Sequence, residues 1–134
     1  MQVNAYVNFA GNCEAAFKFY QEVLGATPGP IFRYAGTAFA DQVAPDWHDK
    51  VMHGSVTIGS QTIMGADVAG AGYQTPQGFS LSLQIKGAAE AERIFDALAA
   101  DGAVRVPLEK TFWAERFGMV VDRFGVPWMI NCEP

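Results

Sequence analysis

The sequence predicts an α+β chain of two tandem modules, each running strand, helix, then three strands. Near-strict alternation of apolar and polar residues opens each half, an amphipathic helical stretch follows each alternation, and the two halves align with one another. Placing Gly11 over Gly87 also places Glu14 over Glu90, Ala15 over Ala91 and Phe19 over Phe95, a sparse but ordered internal repeat. Modules at about residues 1–67 and 78–134 are expected within a single domain spanning 1–134, their strands forming an open, cup-shaped mixed sheet.

The elements follow in order. From Val3 to Phe9, Val3, Ala5, Val7 and Phe9 alternate with Asn4, Tyr6 and Asn8, the period of a half-buried strand. Gly11 ends it, and Asn12 suits a helix N-cap. Cys13, Ala16, Phe17, Tyr20, Val23 and Leu24 recur at helical spacing, and Gly25 suits the left-handed position beyond the helix. Ile31–Tyr34 reads as a strand ahead of an irregular loop reaching Asp49. Strand pattern returns over Val51–Ile58, turns at Gly59-Ser60 and resumes at Gln61–Met64, a hairpin with a Gly-first turn. Ala66 to Gly78 reads as the linker between halves. Phe79–Ile85 then alternates, and Gly87–Ala100 carries Ala91, Ile94, Phe95 and Leu98 on one helical face, stopped by Asp101-Gly102. Strands at Val104–Val106, Gly118–Val121 and Val126–Asn131, the last two joined at Asp122–Gly125, complete the second module.

Composition narrows the partners. The 134 residues are 50% hydrophobic, enough nonpolar side chain for a core. A formal net charge of -5 with no basic run argues against nucleic acid and against an anionic membrane surface. No apolar run approaches the roughly 20 residues that span a bilayer, and the N-terminus lacks a basic start followed by an apolar stretch, so no membrane contact and a cytoplasmic location are expected. Cys13 and Cys132, the only cysteines, read as reduced thiols.

Several segments carry a resemblance to a known family. They are Phe9-Ala10-Gly11-Asn12-Cys13-Glu14-Ala15-Ala16 leading to Phe19-Tyr20, the segment Lys50-Val51-Met52-His53, the run Lys110 to Gly118, and Asp122 to Asn131. In these the chain resembles the PhnB-like branch of the glyoxalase, bleomycin-resistance and dioxygenase (vicinal oxygen chelate) superfamily, whose members are often named 3-demethylubiquinone-9 3-methyltransferase. The resemblance covers almost the whole chain and implies a glyoxalase-like fold of paired modules and a homodimer, more firmly than any one reaction. The methyltransferase name is disfavoured, because no glycine-rich strand-to-helix turn that cradles a nucleoside cofactor occurs here. No cofactor is expected. Metal-dependent members of the superfamily place His, Glu or Gln on the first and last strands of each module. Those positions fall near Ala5, Met64, Ser80 and Met129, none of which suits a hard or borderline divalent cation. A slip of one residue brings Tyr6, Gln61 or Asn131 nearer, with too little charge for tight binding. No metal site is expected.

Among residues that carry chemistry, His53 lies in a strand and has the side chain suited to proton transfer near neutrality, which makes it the candidate catalytic residue; the structural alternative is a strand histidine bonded to a neighbour. His48 reads as a solvated loop histidine. Cys13, one residue past an N-cap, is either a nucleophile activated by the helix dipole or a small hydrophobe in the helix's buried register. Arg116 suits bidentate binding of a carboxylate or phosphate, and Trp113 suits stacking on a ring. A surface ion pair for Arg116 and core packing for Trp128 are their structural alternatives. The expected pocket lies between the concave sheet and Thr111–Gly118, with the loop from Gly36 to Asp49 as a lid or dimer-swapped arm. Its ligand contacts are Asn8, Met64, Trp113, Arg116 and Trp128.

Three functions compete on this reading. The first is a metal-free member of the superfamily that binds an unidentified small molecule in the cup. The second is an enzyme, either a divalent-metal-dependent lyase or dioxygenase with atypical ligands or a metal-independent catalyst using His53. The third is a resistance-type dimer that sequesters its ligand unchanged.

Overall fold

A computed structural model describes residues 1–134. Its elements run β1 (Ala5–Phe9), α1 (Cys13–Leu24), β2 (Thr27–Arg33), β3 (Val51–Ile58), β4 (Gln61–Asp67), β5 (Leu81–Ile85), α2 (Ala88–Ala99), β6 (Ala103–Glu109), β7 (Arg116–Val121) and β8 (Pro127–Cys132). They form two compact units, Met1–Gln74 and Thr75–Pro134. Each unit is one helix on one four-stranded mixed sheet. The strand orders are β1-β4-β3-β2 and β5-β8-β7-β6, so the first strand of each module pairs in parallel with the last, and the remaining pairs are antiparallel. This is the α+β arrangement of two βαβββ modules that the repeat predicts.

Two expected strands prove longer than their pattern suggests. β2 begins at Thr27, ahead of Ile31, and β6 extends to Glu109. Both contain proline, and both are edge strands with register shifts, the setting in which a missing amide donor leaves no ladder bond unmade. Their alternation is broken at those shifts, which hides them from a period-two reading.

In the first unit α1 lays Cys13, Ala16, Phe17, Tyr20 and Val23 on the sheet, against Val7, Phe9, Val51, Val56 and Ile63. Phe9 and Phe17 meet edge to face at 5.8 Å. Gly65 makes the approach possible: a Cβ there would stand 2.9 Å from the Phe17 ring and 2.9 Å from the Val7 carbonyl oxygen. The second unit repeats the device with Phe95 of α2, whose ring lies 2.8 Å from where a Gly118 Cβ would be.

The start of α1 is capped from afar. Asn12 occupies the N-cap position, but its side chain makes no capping bond. Asp67, at the end of β4 and 1% exposed, accepts the Gly11 and Cys13 amides on Oδ1 at 3.1 and 2.9 Å and the Val51 amide on Oδ2 at 2.9 Å. One buried carboxylate thus ties strand, helix and hairpin together. Gly25 takes the left-handed conformation expected of it, donating to the Gln21 carbonyl while Ala26 donates to that of Tyr20. In the second unit Asp122 shapes the β7–β8 turn, its Oδ1 accepting from the Phe124 and Val126 amides and its Oδ2 from the Trp128 indole N–H at 2.9 Å. No helix is long and apolar enough to cross a membrane.

Candidate functional site

Strand alternation sorts the side chains of each sheet into two faces. In the first unit Val7 and Phe9 are buried toward α1, so Tyr6 and Asn8 stand on the opposite face. Register carries that face across the sheet: Tyr6 pairs with Met64, Met64 with Ser55, and Phe32 with His53. Asn8, His53 and Met64, three of the residues expected at the pocket, therefore share one surface. Sequence alternation alone places Tyr6 beside Asn8, but it does not bring Phe32 and Ser55 to the same place; strand pairing does.

His53 is the polar centre of this surface. The Tyr6 hydroxyl lies 3.1 Å from its Nδ1, and the Tyr6 and His53 rings are 5.6 Å apart with planes tilted by 34°. Phe32 lies on the other side of His53, ring centroids 6.5 Å apart and tilted by 30°. Tyr6 and Phe32 are 47% and 52% exposed, so two of the three rings present apolar area outward. Burial of part of its ring, followed by the neighbouring Cys13 and Tyr34, pushes the Tyr6 hydroxyl above its ordinary pKa, so the hydroxyl keeps its proton. No lysine, arginine, aspartate or glutamate stands on this face of β1, β3 or β4.

Trp113, Arg116 and Trp128 belong to the second unit, and they do not share one face. Arg116 turns toward α2, its Nε donating to Glu92 at 3.1 Å and its Nη1 to the Glu115 carbonyl at 2.7 Å. Trp128 is 1% exposed in the core beneath α2, where Asp122 holds its indole N–H. Trp113 instead stacks edge to face on Phe117, centroids 5.3 Å apart, on the face turned from α2. The expected grouping of these three side chains is therefore corrected: adjacent strand positions point to opposite faces, and Arg116 and Phe117 are neighbours in sequence. Beside Phe117 that face carries Asn131, whose amide donates to Gln84 at 2.7 Å, and Gln84 in turn donates to Ser82 at 3.1 Å.

Other candidates resolve into structural roles. Cys13 is fully buried, and burial, with Asp67 and Glu14 adding to it, pushes its thiol up, the opposite of an activated nucleophile. His48 Nε2 lies 3.0 Å from the Ala40 carbonyl within the loop. A cleft of about 580 Å³ at the start of α1 is lined by charged groups, among them Arg33, Lys50 and Asp49. Arg33 bridges to Glu14 and to the Asp49 carbonyl, and Lys50 Nζ donates to the Gly11 carbonyl at 2.8 Å, so these cations fasten the loop from Tyr34 to Lys50. The Arg33 hydrogen bond holds the Glu14 carboxyl below its ordinary pKa.

Register also sorts the strand positions at which the resemblance implies a metal site. The residues paired across the first and last strands, on the face turned from the helix, are Tyr6 with Met64, Asn8 with Ala66, Ser82 with Met129 and Gln84 with Asn131. Ala5 and Ser80 do not fill those places: Ala5 points toward α1, and Ser80 precedes β5. Thioethers and neutral hydroxyls do not fit a hard or borderline dication. No three His, Cys, Asp or Glu side chains converge elsewhere in the chain.

Residues 1–131 match the family model described as 3-demethylubiquinone-9 3-methyltransferase. Protein YjdN of Escherichia coli (strain K12) is 37% identical, over 98% of this chain and 95% of its own. The crystal structure of protein PA1353 from Pseudomonas aeruginosa is 42% identical with a TM-score of 0.86, covering 99% of this chain and 98% of that one. The PhnB protein from Bacillus cereus, described as a putative 3-demethylubiquinone-9 3-methyltransferase, is 25% identical with a TM-score of 0.84, covering 98% and 99%. At 11% identity and a TM-score of 0.67, over 100% of this chain and 93% of that one, the fosfomycin resistance protein FosX from Listeria monocytogenes shares the fold. The chain belongs to the 3-demethylubiquinone-9 3-methyltransferase family.

Proposed function

We propose that the chain binds an uncharged small molecule, without a metal ion, on the face of the first unit's sheet turned away from α1. One observation carries this: the Tyr6–His53 hydrogen bond sits within an exposed aromatic patch on a face where β1, β3 and β4 carry no formal charge. His53 supplies the polar contact, Met64 an adaptable apolar one and Asn8 an amide. Trp113 packs on Phe117 within the second unit and is not part of this site. Arg116 and Trp128 are assigned to ion pairing and packing, since Glu92 and Asp122 occupy their polar groups. The two modules act as one domain in this reading.

The name of the matched family is not carried into the proposal. The turn from β1 to α1 has Gly11 as its one glycine, and Asp67 takes up the amides of Gly11 and Cys13, so the start of α1 offers no cradle for a nucleoside cofactor. Sequestration of the ligand unchanged and metal-free catalysis through His53 use the same geometry. Recovery of the ligand, intact or altered, separates them.

Elemental analysis of protein purified without chelator, paired with native mass spectrometry, tests the reading. The expected result is a co-purified organic mass and no stoichiometric Zn, Fe, Mn, Ni or Mg. One ion per chain overturns the metal-free assignment. Amide shift mapping with the recovered compound should move Tyr6, His53, Ser55 and Met64 most; shifts confined to the second unit overturn the placement. A homodimer belongs to the same proposal, supported by exposed Val104 and Val106 on edge strand β6 and by Phe112, 96% exposed. Sedimentation at micromolar concentration should give twice the chain mass. Two free, buried cysteines support a cytoplasmic location.

A further inference from the structure

The geometry points to a flat, carbonyl-bearing, uncharged compound as the occupant of the first unit's open sheet face, with Tyr6 as the residue that sets which proton His53 offers it. The inference rests on the binding reading above and adds the ligand's chemical class. Three observations carry it. Tyr6, His53 and Phe32 form a strip of rings in which both neighbours tilt only 30–34° from the imidazole, a surface matched by a planar molecule lying along it. No lysine, arginine, aspartate or glutamate on this face of β1, β3 or β4 stands ready to pair with an ionic group, so a charged ligand is penalised by desolvation. Donation by the Tyr6 hydroxyl to Nδ1, 3.1 Å away, places the imidazole proton on Nε2. Nε2–H is then a donor without an acceptor assigned to it, and a carbonyl oxygen at the edge of a flat ring is its complement.

The contrast to be tested lies between three probes: 2-quinolone, which is flat, uncharged and bears a carbonyl; caprolactam, which keeps the amide without the plane; and naphthalene-2-sulfonate, which keeps the plane and adds charge. Titration by NMR should show 2-quinolone binding at least about tenfold more tightly than either, with Tyr6, Phe32 and His53 amides moving most. His53→Phe, which keeps a ring and removes the donor, should weaken 2-quinolone by about threefold to tenfold, as loss of one hydrogen bond does. Phe32→Leu should weaken it while leaving caprolactam unchanged. Long-range ¹H–¹⁵N spectra of the unliganded protein at pH 9, with His48→Gln used to assign the signals, should show the His53 proton on Nε2. Tyr6→Phe should raise the share of the Nδ1 tautomer. A proton on Nδ1 in the wild type, or a tautomer ratio untouched by Tyr6→Phe, overturns the role of Tyr6. Equal affinity for caprolactam, or tighter binding of the sulfonate, overturns the ligand class. If the recovered compound moves these amides while 2-quinolone does not bind, the class fails and the site stands. If no compound moves them, both fail. Tyr6 and Phe32 are about half exposed, so their variants should fold, and unchanged thermal unfolding verifies it.

Discussion

The two sheets share a strand order, a parallel first-to-last pairing and a helix phenylalanine seated on a strand glycine, yet the faces turned from their helices differ in chemistry. The first carries His53 bonded to Tyr6 and flanked by Phe32. The second carries the amide chain Asn131–Gln84–Ser82 beside Trp113 and Phe117, with no titratable group in the chain. Helix-side positions are fixed by packing and stay alike, whereas the other face is free to diverge, and the histidine–tyrosine pair stands on one unit only. The difference teaches that module symmetry is a property of the core and not of the site.

The largest expected effects test whether each unit is held by its own buried carboxylate. Asp67→Ala removes the acceptor of three amides, and Asp122→Ala that of two amides and an indole; each should cost about 3 kcal/mol or more in urea unfolding. If Asp67→Ala costs under about 1 kcal/mol, the cap is not what joins α1 to β4. Next come Gly65→Ala and Gly118→Ala, each expected to destabilise by about 1–3 kcal/mol through overpacking against Phe17 and Phe95. Unequal losses would show that the two helix seats differ in tightness.

Smaller effects sharpen the functional asymmetry. Gln84→Ala should leave binding of the recovered ligand unchanged, whereas His53→Phe should weaken it about threefold to tenfold, both read by calorimetry. Arg116→Met should change stability by only about 0.2–1 kcal/mol, because its partner Glu92 is exposed, and should not alter affinity. The smallest effect is that of the exposed Arg33–Glu14 pair. Because the Glu14 pKa is lowered on folding, its contribution of a few tenths of a kcal/mol is present above the ordinary glutamate pKa and fades as pH falls through the folded value. Glu14→Gln should therefore reduce unfolding free energy at pH 7 and not at pH 2.

Periodicity and turn chemistry made much of this legible in advance. The alternation of Val7 and Phe9 with Tyr6 and Asn8, the helical spacing from Cys13, and the turn glycines Gly25 and Gly59 are local signals, and each element stands close to where they put it. The start of β2 was hidden by Pro28 and Pro30, and the bulges of both edge strands broke the period. The cap on α1 was not legible either. Asn12 has the right side chain in the right place, but the bond is made by Asp67, 55 residues further on, across the parallel β1–β4 pair.

The sequence by itself determined the two βαβββ modules, the family and the presence of Asn8, His53 and Met64 among the residues worth following, because each rests on short-range pattern or on motif. Only the tertiary structure decided which side chains meet. Sequence separation says nothing about strand register, and register is what sets Tyr6 and Phe32 beside His53 and sends Arg116 and Trp128 to the helix side of their sheet, away from Trp113.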